Sequence, residues 1–526
     1  MNDAARIPAD RQRLPRSTYR LAFVFVVLVM VLTDFYYVNY TCDDSFIVFR
    51  YAENIARGKG WVFTAGERVE AYTSFTWTGL LALAAVLGAA KQKIGLVIAS
   101  KVLGATFGLG AVLGVAATAP LVSAPRPCRT HGAVAVAFLL CSAPFALWSV
   151  TGLETSLVAC LLSWAVYFEL RDHLVEVPRS RWPRSALLFA VGALTRPEFV
   201  FSFAATGALR LVLALSRPTF RARWRSDVLW LAAFVVPCGV HLLWRHAYYG
   251  QWLPNTYYAK VAGDALTWPR GHRYVRSAIV ELGLWPSLLA ATVPFAVTRR
   301  APLKVVYLST LLLVHLFVVA LEGGDWMPVF RFIIPILPII ALLVDAAVSE
   351  AYESFTTRSG RAMTSAVAIL ALANVGYRGV AAVPTWLPEP GFEEWAPVPA
   401  DSLRVARWMN DHLPHRGLLA LGEAGVIPYY TELPVLDLFG LADPHIAHLP
   451  GARHHKFDLE YVLGRLPSYV VLAGHHARGA PPSGYTYVDQ LLGSSRFSRD
   501  YRLVADFPAF VVYVRSEVST KQNPGN

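Results

Sequence analysis

Apolar residues run in long blocks along the first three-quarters of the chain, each block ending in a short charged stretch. Blocks at 21–38, 78–90, 94–120, 131–148, 154–170, 186–209, 228–245, 278–297, 303–320, 329–347 and 361–384 carry few charges. About 20 such residues cross the hydrocarbon core of a bilayer as a helix, so the pattern predicts roughly ten to twelve membrane spans. Two stretches need special treatment. The run 78–120 crosses an odd number of times, and 186–209, basic at both ends, enters and returns around Arg196-Pro197. The segment 39–77 is too polar to span and reads as the first external loop. Past residue 384 the pattern changes. Residues 385–399, rich in Pro, Trp and Glu, read as a linker. Residues 400–526 alternate short β-like runs (417–421, 435–438, 469–472 and 509–513) with polar stretches, which predicts a small α/β domain.

Composition sharpens this picture. The chain is 55% hydrophobic and only 16% charged, against roughly 25% charged in soluble domains. Its net charge of +12 does not point to nucleic acid, because the arginines sit between apolar blocks. They read as positive-inside signals. Residues 1–20, with five arginines, are expected in the cytoplasm, followed by a retained first helix rather than a cleaved signal. Clusters at Arg126/Arg129, Arg179/Arg181/Arg184, Arg217–Arg225, Arg299/Arg300/Lys304 and Arg358/Arg361 are also expected there. That leaves 39–77, 149–154, 246–277, 321–328 and the α/β domain on the outer face. Cys42, Cys128, Cys141, Cys160 and Cys238 lack the spacing of a disulfide framework or a zinc site.

Charged residues at the span edges carry the candidate chemistry, because a desolvated charge needs a reason to be there. Thr41–Ile55 has helical spacing ended by Gly58 and Gly60, and is expected to lie as an amphipathic helix on the membrane surface. Asp43 and Asp44 open it. One carboxylate suffices for an N-cap; two adjacent ones suggest a general base toward a hydroxyl, or a metal ligand. Glu154 closes Gly152-Leu153-Glu154 at an external span end, and with Asp43 and Asp44 is a candidate for sharing a divalent ion. Arg196 precedes Pro197, which is suited to open a half-helix, so a guanidinium stands beside helix N-terminal amides, a phosphate-binding combination. Lys260 and Arg331 add cations near the same face. Glu198, Asn255, Tyr258 and Asp325 are candidate substrate contacts, and Glu423, Asp437, Asp443 and His445 mark a candidate acceptor surface.

Six short motifs occur in order: Asp43-Asp44, Gly66-Glu67-Arg68-Val69-Glu70, Gly152-Leu153-Glu154, Arg196-Pro197-Glu198, Tyr248-Tyr249-Gly250 with Ala259-Lys260, and Gly323-Gly324-Asp325-Trp326-Met327. Together they resemble the GT-C superfamily of polyprenyl-phosphate-sugar glycosyltransferases, nearest the terminal arabinofuranosyltransferase branch. The resemblance covers about residues 30–335 and, more weakly, 420–450. It implies a multi-spanning helical membrane protein, a catalytic aspartate in the first external loop, a polyprenyl-phosphate donor, and a glycan or glycolipid acceptor met on the outer side of a bacterial cytoplasmic membrane. Arabinofuranose or a hexose is the expected sugar. The rival expectation is a transporter or flippase of lipid-linked sugars, which usually shows repeat symmetry absent from this sequence.

Overall fold

Helical periodicity governs the first 384 residues, and the computed structural model answers it with helices throughout; it describes residues 16–123, 132–174, 182–261, 265–298, 302–384, 400–474 and 483–518. The linker at 385–399 and the clusters at Arg126/Arg129, Arg179/Arg181 and Arg299/Arg300 lie outside the described residues. In chain order the helices are α1 (Arg16–Tyr36), α2 (Asp43–Ala56), α3 (Phe75–Val86), α4 (Lys93–Val122), α5 (Ala133–Cys141), α6 (Ala143–Ser149), α7 (Thr155–Asp172) and α8 (Arg184–Thr195). They continue with α9 (Phe199–Ser216), α10 (Pro218–Arg221), α11 (Trp224–Tyr249), α12 (Asn255–Lys260), α13 (Thr267–Glu281), α14 (Leu284–Thr298), α15 (Leu303–Leu321), α16 (Leu337–Ser354) and α17 (Arg358–Ala382). A 3₁₀ segment, Pro328–Ile336, leads into α16.

Among the described residues, six helical stretches are long and apolar enough to cross a membrane: α4, α9, α11, α15, the segment Pro328–Ser354 and α17. Shorter apolar helices, α3, α8 and Leu284–Val293 of α14, fill the bundle between them. Two apolar blocks are split. Pro144 opens α6, and Arg196–Glu198 separates α8 from α9. Exposed apolar side chains on α1, α9, α11 and α17 form a surface of the kind that a bilayer covers.

One expectation is overturned. α2 does not lie on a membrane surface. Residues Ser45–Asn54 are all buried, because the helix packs on α3 from one side and on the C-terminal domain from the other. Its polar side chains are matched inside the protein. Arg50 donates to the carbonyls of Phe63 (2.8 Å), Pro428 (2.8 Å) and Leu433 (2.7 Å).

The C-terminal domain contains α18 (Ala400–His412), α19 (Val426–Thr431), α20 (Pro444–His448) and α21 (Leu459–Gly464) around a five-stranded sheet. Its strands are β1 (Leu419–Leu421), β2 (Val435–Asp437), β3 (Tyr469–Ala473), β4 (Tyr501–Asp506) and β5 (Phe510–Arg515), in the order β2-β1-β3-β5-β4. β1 pairs parallel with β2 and β3, whereas β5 runs antiparallel to β3 and β4. Successive strand residues point to opposite faces. Leu419, Leu421, Val471 and Val512 therefore join the core that continues into the helical bundle, while Ala420, Val470, Leu472 and Val511 build a separate cluster behind the sheet. The domain is thereby seated on one end of the bundle by a shared apolar core.

Candidate active site

Two of the sequence motifs meet in space. The start of α2 is pinned to the turn before α7: the Cys42 amide donates to the Thr151 carbonyl (3.0 Å), and the Ser45 hydroxyl donates to the same oxygen (3.0 Å). Gly152 sits between them at φ 92°, where a Cβ would come within 2.8 Å of Ser45 Oγ. Only glycine fits this backbone and this approach. Asp43-Asp44 and Gly152-Leu153-Glu154 are thus parts of one corner.

From that corner a narrow cavity runs between α7, α9, α15 and the Pro328–Ile336 segment. Glu154, Arg196, Glu198, His315 and Arg331 supply its polar wall, and Val158, Leu162, Phe199, Phe332 and Pro335 its apolar wall. Arg196 is held by Glu198 (2.7 Å) and Glu154 (3.4 Å) and lies 4.5 Å over the Phe332 ring. Burial beside Glu198 pushes the Glu322 carboxyl well above its ordinary value. Arg331 approaches Asp325 at 2.8 Å without hydrogen-bond alignment, leaving its Nε and Asp325 Oδ2 unsatisfied. The backbone before Arg331 is strained: Val329 and Phe330 have φ of 62° and 52°, costly for a β-branched residue. Trp148 Nε1 bonds Val329 O (3.2 Å), and the Phe332 backbone is fixed by Tyr274 (3.1 Å) and His315 (2.8 Å). The surroundings hold the turn, and the turn aims Arg331. Its charged neighbours are Asp325, Arg196, Glu154 and Asp44, so one guanidinium links the cavity to the paired aspartates.

The two aspartates are not equivalent. Asp43 accepts from the Val426 amide (2.9 Å), and its carboxyl lies against Gly425, where a Cβ would collide with Asp43 Oδ2. It ties α2 to the C-terminal domain. Burial, opposed by the Val426 amide and reinforced by Asp44, raises the Asp43 carboxyl to about 7. Glu423, on the loop leading to that amide, is raised to about 8 by burial and then by Asp43 and Asp44. The Asp44 side chain, by contrast, has no hydrogen bond or ion pair among the described residues. Neither has Lys260, at the end of α12, whose ammonium is lowered by burial and faces Asp44, Arg331 and Asp325 as charged neighbours. A carboxylate and an ammonium feel each other's charge here without touching.

Comparison with known proteins supplies the frame. ArnT from Cupriavidus metallidurans, solved bound to undecaprenyl phosphate, is similar over 95% of this chain and 98% of its own, with TM-score 0.58 and 14% identity. The fold is that of the GT-C glycosyltransferases. The archaeal oligosaccharyltransferase AglB from Archaeoglobus fulgidus, in complex with an inhibitory peptide and a dolichol-phosphate, shares this GT-C fold with TM-score 0.53 and 13% identity, covering 95% of this chain and 75% of that one. In sequence, the terminal beta-(1->2)-arabinofuranosyltransferase of Mycobacterium tuberculosis is 32% identical over 276 residues, 50% of this chain and 42% of the relative. That of Corynebacterium glutamicum is 28% identical over 345 residues, 58% of this chain and 48% of the relative. The chain thus spans somewhat under half the length of both relatives. Residues 393–522 match a family described as a domain of unknown function, DUF8728.

Within the GT-C frame, Asp43, Asp44, Glu154, Arg196, Glu198, Lys260, Asp325 and Arg331 gather in one electrostatic neighbourhood at the end of the bundle that carries the C-terminal domain. Other sequence expectations change role. Asn255 has a structural role here: its side-chain amide donates to Gly440 O (2.8 Å) and Leu441 O (2.9 Å), clamping α12 to the domain. Tyr258 stacks on His448 at the same joint. Asp437 accepts from the Phe439 and Ala442 amides, Asp443 caps α20, and His445 bonds Asp458. These three are turn and cap residues, because short loops between strands need such acceptors. The shared metal site of Asp43, Asp44 and Glu154 does not form. Among the described residues no group of three or more His, Cys, Asp and Glu side chains is placed to hold a metal ion. Glu154 turns to Arg196, and Asp43 to Val426. Glu322 and His315 escaped the sequence reading because they lie inside or at the edge of an apolar span and belong to no recognisable motif.

Proposed function

We propose that this chain is an inverting glycosyltransferase that moves a sugar, a pentose such as arabinofuranose or a hexose, from a polyprenyl-phosphate carrier to a cell-envelope glycan or lipid acceptor. The work is done on the outer side of the bacterial cytoplasmic membrane. The observation that carries this reading is that Asp44 and Lys260, each without a hydrogen bond or ion pair among the described residues, are charged neighbours of each other and of Arg331, which also lines the cavity. A ligand with a hydroxyl, an anomeric carbon, a phosphate and a prenyl chain matches that sequence of surfaces. The GT-C fold and the arabinofuranosyltransferase relatives support the same choice.

In this mechanism the prenyl chain lies along Val158, Leu162, Phe199 and Phe332, and the phosphate rests on Lys260 and Arg331. Asp44 takes the proton from the acceptor hydroxyl as that oxygen attacks the anomeric carbon. The bond from that carbon to the phosphate oxygen breaks on the opposite face, and polyprenyl phosphate leaves with its charge met by the two cations. Asp43 holds the C-terminal domain at the base through Val426, and Glu154 and Glu198 fix Arg196 on the cavity wall. Positioning and preorganised charge supply most of the acceleration. The flippase reading gains nothing from the geometry, since the C-terminal domain is cemented over the same end of the bundle by a shared core.

The test is transfer of label from a polyprenyl-phospho-sugar to an acceptor oligosaccharide by the purified chain. The expected result is transfer with inverted anomeric configuration, abolished by Asp44→Asn. Uptake into vesicles without transfer would refute it.

A further inference from the structure

Lys101 lies about two turns into α4, in an apolar span where a charge is costly and marks function by default. It is 6% exposed. Among the described residues it forms no ion pair with a carboxylate. Its ammonium donates instead to two backbone carbonyls, Tyr40 O (2.8 Å) and Val150 O (2.6 Å). Tyr40 follows α1 and stands four residues before Asp44; Val150 follows α6 and stands four residues before Glu154. Both carbonyls lie past a helix end, outside the helical hydrogen-bond ladder. A single buried side chain thus joins the roots of the two segments that carry the paired aspartates and Glu154.

The close approach is built into the fold. α4 packs against α6 and α7. One turn beyond Lys101, Gly104 lies against the Ser149 carbonyl, which a Cβ would strike; a turn further, a Cβ on Gly108 would come within 2.7 Å of Ser149 Oγ. Small residues four apart let helices pack closely in a membrane. The same two segments are tied again a residue or two further along. The Cys42 amide and the Ser45 hydroxyl bond Thr151 O, and Trp77 Nε1 donates to Gly152 O (3.1 Å). Lysine suits the place because its donors turn on a flexible stem and meet two acceptors at once, and a charged donor makes the stronger bond. Its side chain is not among those lining the cavity. It acts on the carboxylates through the backbone.

We infer that Lys101 is a positioning residue: it staples the Asp43-Asp44 segment to the Gly152-Leu153-Glu154 segment, and so sets where Asp44 stands relative to Glu154 and the Arg196 that Glu154 holds. This rests on the glycosyltransferase reading and deepens it. Without the ammonium two buried carbonyls lose their donor, and the segments are free to part. A reacting group displaced by about 1 Å can cost about 100-fold in rate. Lys260 and Arg331, on which the phosphate rests in the proposed mechanism, belong to α12 and the Pro328–Ile336 segment and keep their place. Loss of Lys101 therefore slows the chemical step and spares donor binding.

The experiment compares the full chain in detergent with Lys101→Met, Lys101→Gln and Lys101→Arg, by transfer from a polyprenyl-phospho-sugar and by hydrogen exchange of peptides spanning 40–46 and 149–153. Lys101→Met keeps the stem and removes the donors. It is expected to lower kcat about 10- to 100-fold with the donor KM unchanged, and to speed exchange in both peptides while the Glu169 end of α7 exchanges as before. Lys101→Gln, with a shorter donor, should fall between, and Lys101→Arg, which still brings N–H groups to both carbonyls, should recover most of the rate. A folded Lys101→Met or Lys101→Gln that transfers at the wild-type rate, or that loses kcat only together with donor affinity, would show the inference to be wrong. So would unaltered exchange in both peptides. A wild type that transfers no sugar would instead sink the glycosyltransferase reading, and the exchange comparison would still judge the staple.

Discussion

Two charged clusters occupy the two ends of α7, and they are built on opposite principles. At the C-terminal end, Glu169 receives Arg210 through both oxygens (2.8 and 2.7 Å) and the Ser185 hydroxyl (2.8 Å), while Arg210 also reaches Asp227 (2.8 Å) and lies 4.3 Å over Trp230. Both Glu169 oxygens are met. Fifteen residues away, about 22 Å along the helix, Glu154 opens onto the corner where Asp44 and Lys260 have no hydrogen bond or ion pair among the described residues and Arg331 meets Asp325 out of alignment. Burying a charge without a matched partner is costly. On the proposed function, the incomplete cluster is the one that a ligand completes. The comparison teaches that partnership, more than burial or charge, separates scaffold from site in this bundle.

The largest effect should come from removing the acid at the incomplete end. Asp44→Asn is expected to lower the transfer rate about 10²- to 10⁴-fold, the usual contribution of a general base, with melting temperature little changed. Breaking the completed cluster should do the reverse. Arg210→Met strands Glu169, and the melt in detergent should record a loss of about 3–5 kcal/mol, while the protein that stays folded keeps its rate. Equal losses of rate for both variants would erase the distinction between the ends.

Much of this was legible in the sequence, and what was not has a physical reason. Apolar blocks placed most helices of the bundle, and Arg196-Pro197 placed one break, because length and proline act locally; the break at Pro144 lay hidden inside the block 131–148. Four of the five strands were marked by their apolar runs; β4, half-exposed, was not. The motif residues around Asp43, Glu154, Arg196 and Lys260 stood out as candidates because charge at a span edge is conspicuous. The different fates of Asp43 and Asp44 were hidden, since they depend on Gly425 and Val426, about 380 positions away. The burial of α2 was hidden for the same reason: an amphipathic helix looks alike whether its polar face meets water or the carbonyls of another domain.

A smaller effect concerns pH. Asp43 and Glu423 are raised to about 7 and 8 in the folded chain, above ordinary carboxyl values near 4. The folded state thus binds protons more tightly than the unfolded one, and this contribution to stability is complete below about pH 4 and lost as pH rises through 7 to 8. The melting temperature is expected to fall between pH 5 and pH 8, and Glu423→Gln should flatten that slope. A slope unchanged by the substitution would remove Glu423 from the joint. Smallest of all should be Arg196→Gln at the level of donor affinity. Its guanidinium is already claimed by Glu154 and Glu198, so KM for the donor should rise only a few-fold, against 10- to 100-fold for Lys260→Gln. Equal effects would place the phosphate deeper in the cavity.

The central claim is that the ligand completes the corner between Asp44 and Lys260. Cryo-electron microscopy of the full chain with bound polyprenyl phosphate tests it most directly. The account predicts phosphate density within hydrogen-bond reach of Lys260, about 3 Å, with the prenyl chain running past Phe332 and Phe199. Density at the Glu169 end, or phosphate held away from Lys260 and Arg331, would contradict it.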